Sequence, residues 1–187
     1  MNNKEKVLLN KGIDKVRQKK FEVALEIFER LLAMNQEIPE VWNNRGVALY
    51  GLGSFEESMQ SYDRCLAIDP ENLDALRNKG FLLRNQKKLE EALVVYDCVL
   101  QKGGDAYDME STAAVLTALG RLDEALSCLF LAREAMPLKR LEDEIEMVKS
   151  LMVQRGIPVP ENRAPPEIAH QRTLLRENQG RDGQGKE

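Results

Sequence analysis

Asn10-Lys11-Gly12, Asn44-Arg45-Gly46 and Asn78-Lys79-Gly80 are one tripeptide written three times, 34 residues apart. Self-similarity at a period of about 20 to 50 residues marks a solenoid of one supersecondary unit, because a lone unit cannot bury its apolar face and must stack on a neighbour. The same offsets after each Gly repeat other residue types. They are Phe21, Phe55, Leu89 and Leu122, then the small Ala24, Ser58, Ala92 and Ala125, then Phe28, Tyr62, Tyr96 and Leu129. A fourth unit is therefore present, its tripeptide drifted to Ser111-Thr112-Ala113. Its Ala125 lies only 33 residues after Ala92, which predicts one residue missing at the Gly103-Gly104 turn. Small and aromatic positions four apart share one face of a helix. Gly53-Ser54-Phe55 and Gly120-Arg121-Leu122 break one helix from the next, so each unit reads as a helical hairpin.

On these residues the chain resembles the tetratricopeptide repeat (TPR) family, whose unit carries Trp, Gly, Ala, aromatic and Pro at set offsets. The second unit matches best, with Trp42, Gly46, Phe55, Tyr62 and Pro70; Pro137 closes the fourth, while Gln36 and Gly104 replace Pro in the first and third. The resemblance implies an all-α, TPR-like right-handed α-solenoid of helical hairpins, in units of about 5–38, 39–72, 73–105 and 106–137. Beyond Pro137, Leu141, Ile145, Val148 and Met152 form a helical stripe, read as a C-terminal capping helix over 138–155. About nine helices and no strand are expected within the TPR-like domain 1–155. From 156 to 187 the texture changes to Pro158, Pro160, Pro165 and Pro166 and a Gln-, Arg- and Gly-rich end, which reads as a disordered tail with at most a short amphipathic turn around Ile168, Leu174 and Leu175.

Composition narrows the function. The 187 residues are 43% apolar, 31% charged and 5% aromatic, with a net charge of −4. No basic cluster exists to hold phosphates, so nucleic acid is not an expected partner. No apolar run reaches the length of a membrane span, and Met1-Asn2-Asn3-Lys4-Glu5-Lys6 is followed by no signal-peptide core, so a cytoplasmic protein without a membrane partner is expected. Cys65, Cys98 and Cys128 are far apart, odd in number and at second-helix positions, which reads as reduced core thiols. The sole histidine, His170, lies in the tail, so no His-based triad or metal cluster can form in the repeats. Neither a phosphate-binding Gly-Lys loop nor a nucleophile elbow is present, and no cofactor or metal is expected. The paired carboxylates Glu56-Glu57, Glu90-Glu91 and Asp123-Glu124 recur at the start of second helices, where negative charge complements the helix dipole. The expected protein is not an enzyme.

The tripeptide itself points to recognition. Gly inside a helix costs about 1 kcal/mol relative to Ala, which a close approach of the partner helix would explain, with Phe21 and Phe28 filling the space beside Gly12. Met34, Met59 and Trp42 are expected in the core. Asn gains nothing from apolar packing, yet Asn10, Asn44 and Asn78 recur. In the family the first helices line a concave groove, where an Asn at this offset commonly holds the backbone of an extended peptide. One amide offers donor and acceptor to a peptide group whatever its side chain. With Ala the better helix former, Asn→Ala is expected not to lower stability.

Residues one turn away complete the groove: Ile13 and Arg17; Asn43, Val47 and Tyr50; Arg77, Phe81 and Arg84; and Tyr107. The carboxylate clamp of chaperone-binding TPR domains is missing, because Leu9 and Ile13 stand where Lys and Asn would be needed, and Asp74 and Asn78 where Lys and Arg would be. The reading is a scaffold, adaptor or co-chaperone-like module for an extended peptide of an unidentified protein partner. The alternative is a structural repeat protein that self-associates into a homo-oligomer.

Overall fold

The computed structural model describes residues 1–160. The tail from 161 onward, including His170 and the Ile168–Leu175 stretch, lies outside the described residues. Nine helices and no strand are present among the described residues. In chain order they are α1 (Asn3–Arg17), α2 (Phe21–Met34), α3 (Pro39–Gly51), α4 (Phe55–Ile68), α5 (Leu73–Asn85), α6 (Leu89–Gln101), α7 (Ala106–Leu119), α8 (Leu122–Ala135) and α9 (Lys139–Gln154). Two compact units divide the chain, Met1–Gln86 with α1 to α5 and the part from Lys87 with α6 to α9. The third repeat thus supplies α5 to the first unit and α6 to the second.

In the first unit α1 pairs with α2 and α3 with α4, and α2 packs on α3 and α4 on α5. Leu9, Ala24, Phe28, Leu31, Ile38, Val41 and Ala48 form a buried core. The repeated Gly is what lets paired helices meet. A Cβ at Gly46 would sit 2.5 Å from the Tyr62 ring, and one at Gly12 would overlap the Phe28 ring. At that approach the buried Ser58 hydroxyl donates to the Gly46 carbonyl at 2.8 Å. Phe21 differs from expectation: its ring lies against Gly51 of the following hairpin, 2.6 Å from where a Cβ would be. Met34 differs too, at 44% exposed. The buried stripe of α2 runs Ala24, Phe28, Leu31, and Met34 lies beside it in the last turn. Trp42 and Met59 are half-buried.

The second unit pairs α6 with α7, α7 with α8 and α8 with α9. Every residue from Ala125 to Ala132 in α8 is buried, so that stretch is enclosed around its circumference and needs cover on more than one side. The capping helix α9 supplies part of it through Leu141, Ile145, Val148 and Met152, all buried. Ala113 and Leu129, at the Gly and aromatic positions of the fourth repeat, are both 1% exposed. A smaller partner side chain goes with the extra methyl. The missing residue falls at the end of α6, which has 13 residues where α2 and α4 have 14. The chain then turns through Gly103 at φ 96°.

Each hairpin closes its first helix with one left-handed residue, at Lys19 (φ 58°), Gly53 (φ 80°), Lys87 (φ 62°) and Gly120 (φ 79°). Two of the four are lysines in a conformation that favours Gly. No side chain caps the second helices α2, α4, α6 and α8; the first turn of α2 carries one carboxylate, Glu22, and those of the other three carry two each. The helix dipole accounts for that acidity. All three cysteines are free thiols, Cys65 and Cys128 buried and Cys98 half-buried.

Candidate functional site

The first helices α1, α3 and α5 are neighbours within the first unit and carry eleven of the twelve expected groove residues. Asn10 is exposed on α1, and Arg17 is an exposed residue held 3.6 Å from Asp14. Ile13 packs against the buried core. On α3, Asn44, Val47 and Tyr50 are half-buried, while Asn43 is only 9% exposed.

The amides pair across helices. Asn78 Nδ2 donates to Asn43 Oδ1 at 2.9 Å, and Asn85 Nδ2 donates to the Tyr50 hydroxyl at 2.6 Å. Both contacts span 35 residues, so position n of one first helix meets position n+1 of the next. The same step back from Asn44 lands on Leu9, which has no side-chain acceptor. Asn44 Nδ2 instead donates to the Glu40 carbonyl of its own helix at 2.7 Å. The three asparagines of the repeat thus have three different surroundings.

Around Tyr50 the aromatic residues gather. Its ring centroid is 5.5 Å from that of Phe55 and 5.6 Å, edge-on, from that of Phe81. Phe81 is 41% exposed, and the Arg84 guanidinium stands 5.3 Å from its centroid. Arg77 is 3.6 Å from Asp74. The result is an open aromatic surface with amides on one side and a guanidinium over one ring. Such a surface can take an apolar side chain and bond a backbone. Phe55 was not among the expected groove residues, although an aromatic at the first position of a second helix, next to the Gly53 turn, was the signal available.

Tyr107, the twelfth expected residue, belongs to the second unit. It is 52% exposed on α7, with the Arg140 guanidinium of α9 5.0 Å from its ring centroid. Arg140 in turn forks onto the Glu110 carboxylate through Nε and Nη2. Glu144 is raised above the usual carboxylate range, chiefly by burial and then by the Glu110 charge. Among the described residues no group of three or more His, Cys, Asp or Glu is placed to hold a metal ion. No helix among them is long and apolar enough to cross a membrane.

A family model described as tetratricopeptide repeat matches residues 9–72, and a second model of the same description matches residues 61–94. No curated protein matches the chain in sequence. Among solved structures, MamA 41-end from Desulfovibrio magneticus RS-1 is similar at 20% identity, covering 100% of this chain and 99% of that one, with a TM-score of 0.73. A structure of MamA protein is 13% identical, covering 100% of this chain and 98% of that one, TM-score 0.72. The Sgt2 TPR domain from Aspergillus fumigatus is 16% identical, covering 64% of this chain and 81% of that one, TM-score 0.60. At these identities the likeness is one of fold.

Proposed function

The chain is a tetratricopeptide-repeat protein, and from that premise we propose that it is a non-catalytic protein-interaction module that holds an extended peptide along α1, α3 and α5. The observation that carries the reading is the open aromatic surface of Tyr50, Phe55 and Phe81, with Phe81 41% exposed. Exposed rings gathered on one face are costly in water and favour a partner that covers them. Asn10 and Asn44 would bond the ligand backbone, as would Asn78 through whatever capacity its bond to Asn43 leaves. Arg84 and Arg77 favour a ligand with an acidic residue near its apolar anchor. Fold likeness to the Sgt2 TPR domain supports an interaction module and leaves the partner open.

A displayed random-peptide library selected on the wild-type protein tests this. Enriched peptides should bind in the micromolar range, and Phe81→Ala should weaken them about tenfold while the circular dichroism spectrum is unchanged. Peptides that bind Phe81→Ala and Asn10→Ala as well as wild type would move the site off this face.

One observation favours the second reading, self-association. On α9, Met147 is 52% and Val153 68% exposed, an apolar presence on the outer side of the capping helix. Light scattering at micromolar concentration separates the two: a monomer supports the adaptor, and a closed oligomer lost on Met147→Lys supports assembly.

A further inference from the structure

The first unit has a second concavity, built from its second helices. Between α2 and α4, over the side of α3 that carries Trp42, lies a cavity of about 420 Å³ whose walls include Leu32, Ala33, Trp42, Arg45, Gln60 and Arg64. Trp42 is the only tryptophan in the chain. Its indole N–H donates to the Gln36 carbonyl at 2.8 Å, which fixes the ring. Two guanidiniums attend that ring, Arg64 at 5.5 Å and Arg45 at 5.9 Å from its centroid.

The two arginines are not equivalent. Arg45 is committed: its Nη1 donates to Ser61 Oγ at 2.7 Å and its Nη2 lies 3.7 Å from Glu29. Arg64 is exposed and, among the described residues, has no carboxylate partner. A guanidinium placed over an indole loses less side-chain freedom on binding, and its fork of donors matches a carboxylate.

We propose that this cavity is a docking site for an acidic polypeptide segment, with an apolar side chain against Leu32, Ala33 and Trp42 and a carboxylate held by Arg64. Charge selects the ligand. With Arg45 paired to Glu29, Arg64 leaves the cavity one net positive charge, which one carboxylate neutralises and a phosphate dianion overcompensates. Gln36 and Gln60, which also line the cavity, can pair with peptide groups. The carboxylate is an acidic side chain within the segment, because the glutamines lining the cavity call for peptide groups that continue past it. The site is formed by α2, α4 and the side of α3 that carries Trp42 and Arg45, and includes none of the groove residues proposed on α1, α3 and α5.

Trp42 reports on its own site, because no other indole contributes to the emission. The full chain is titrated with four N-acetylated tripeptides: leucyl-leucyl-glutamate amide, its glutamine counterpart, its phosphoserine counterpart, and trileucine with a free C-terminal carboxylate. Saturation-transfer NMR on the peptides provides a readout independent of the indole. The glutamate peptide should give a saturable response with a Kd of about 1 mM or tighter, and the glutamine peptide and the trileucine carboxylate should each bind at least about fivefold more weakly. Arg64→Gln, a surface change, should weaken the glutamate peptide about tenfold, with Arg64→Lys in between. Glu29→Gln should leave binding equal or tighter. The proposal is overturned by silence of the glutamate peptide up to about 10 mM, or by tighter binding of the trileucine carboxylate. Equal binding of the glutamine peptide, tighter binding of the phosphoserine peptide, or full binding to folded Arg64→Gln would overturn it too.

Discussion

Asn78 shows how one side chain can be read two ways. From helix propensity alone, Asn78→Ala stabilises. In the folded chain, however, its amide is the donor to Asn43 Oδ1, and Asn43 is 9% exposed. Removing it leaves a nearly buried acceptor unpaired, which costs about 1–3 kcal/mol and outweighs the helix gain of about 0.7 kcal/mol. Asn44→Ala loses only a bond to its own helix carbonyl and should be neutral or slightly stabilising. Urea midpoints of the two variants measured side by side check this, and equal midpoints would show the Asn43–Asn78 bond to be worth nothing net. Lys87 offers the opposite sign. At φ 62° it occupies the position that Gly53 and Gly120 take in other hairpins. Lys87→Gly relieves left-handed strain of about 1 kcal/mol, against some entropy returned to the unfolded chain. A midpoint shift to higher urea is expected, and a shift to lower urea would mean the lysine side chain makes contacts that matter more than the strain.

At the scale of the element, α8 and α9 are the informative pair. Residues Ala125 to Ala132 are buried around the helix, so one partner cannot cover them. The stripe Leu141, Ile145, Val148, Met152 is the second cover, each residue at most 1% exposed. Ending the chain after Pro137 removes four buried side chains worth roughly 1.5–3 kcal/mol each, and leaves the outer side of α8 in water. The truncated chain should melt many degrees lower or associate. Thermal melts with light scattering at matched concentration provide the measurement; an unchanged, monomeric melt would make α9 an appendage. The hairpins themselves were legible because their determinants are local: Gly46 and Tyr62 are 16 residues apart, within one hairpin, and their sizes are matched. Phe21 escaped this logic because its partner, Gly51, lies in the next hairpin.

For the molecule as a whole, burial of acids that are neutral at pH 7 sets an alkaline limit. Burial pushes the Tyr62 phenol up to about 12, the Ser58 hydrogen bond offsetting a little. It pushes the Cys65 and Cys128 thiols up to about 11 and about 12, with nearby carboxylates adding to the effect. All three are raised in the folded state, so the unfolded chain releases these protons first. The stability they support is full below about pH 9 and is lost as pH rises toward about 12. The Cys128 thiol contributes a loss on the order of 2 kcal/mol by about pH 10.5, and Cys65, with the smaller shift, contributes less. Urea midpoints at pH 8 and pH 10.5 should differ accordingly, and Cys128→Ala should shrink the difference. A flat profile would mean that the thiols ionise in place.

The sequence by itself determined the period, the hairpins, the small and aromatic positions at which paired helices meet and the covering helix after Pro137. Each of these follows from spacing along one helix or between two joined by a short turn. Only the tertiary structure decided which residues of the first helices touch: Asn78 with Asn43, Asn85 with Tyr50, Tyr50 with Phe81. It also placed Met34 in solvent, Trp42 at a cavity wall between Arg45 and Arg64, and Lys19 and Lys87 in left-handed turns. A 34-residue repeat aligns equivalent positions, whereas the contacts join non-equivalent ones, 35 residues apart for the two amide bonds and 31 for Tyr50 and Phe81. Which positions meet is set by how side chains of several helices interlock at once, and a period read along one chain does not contain it.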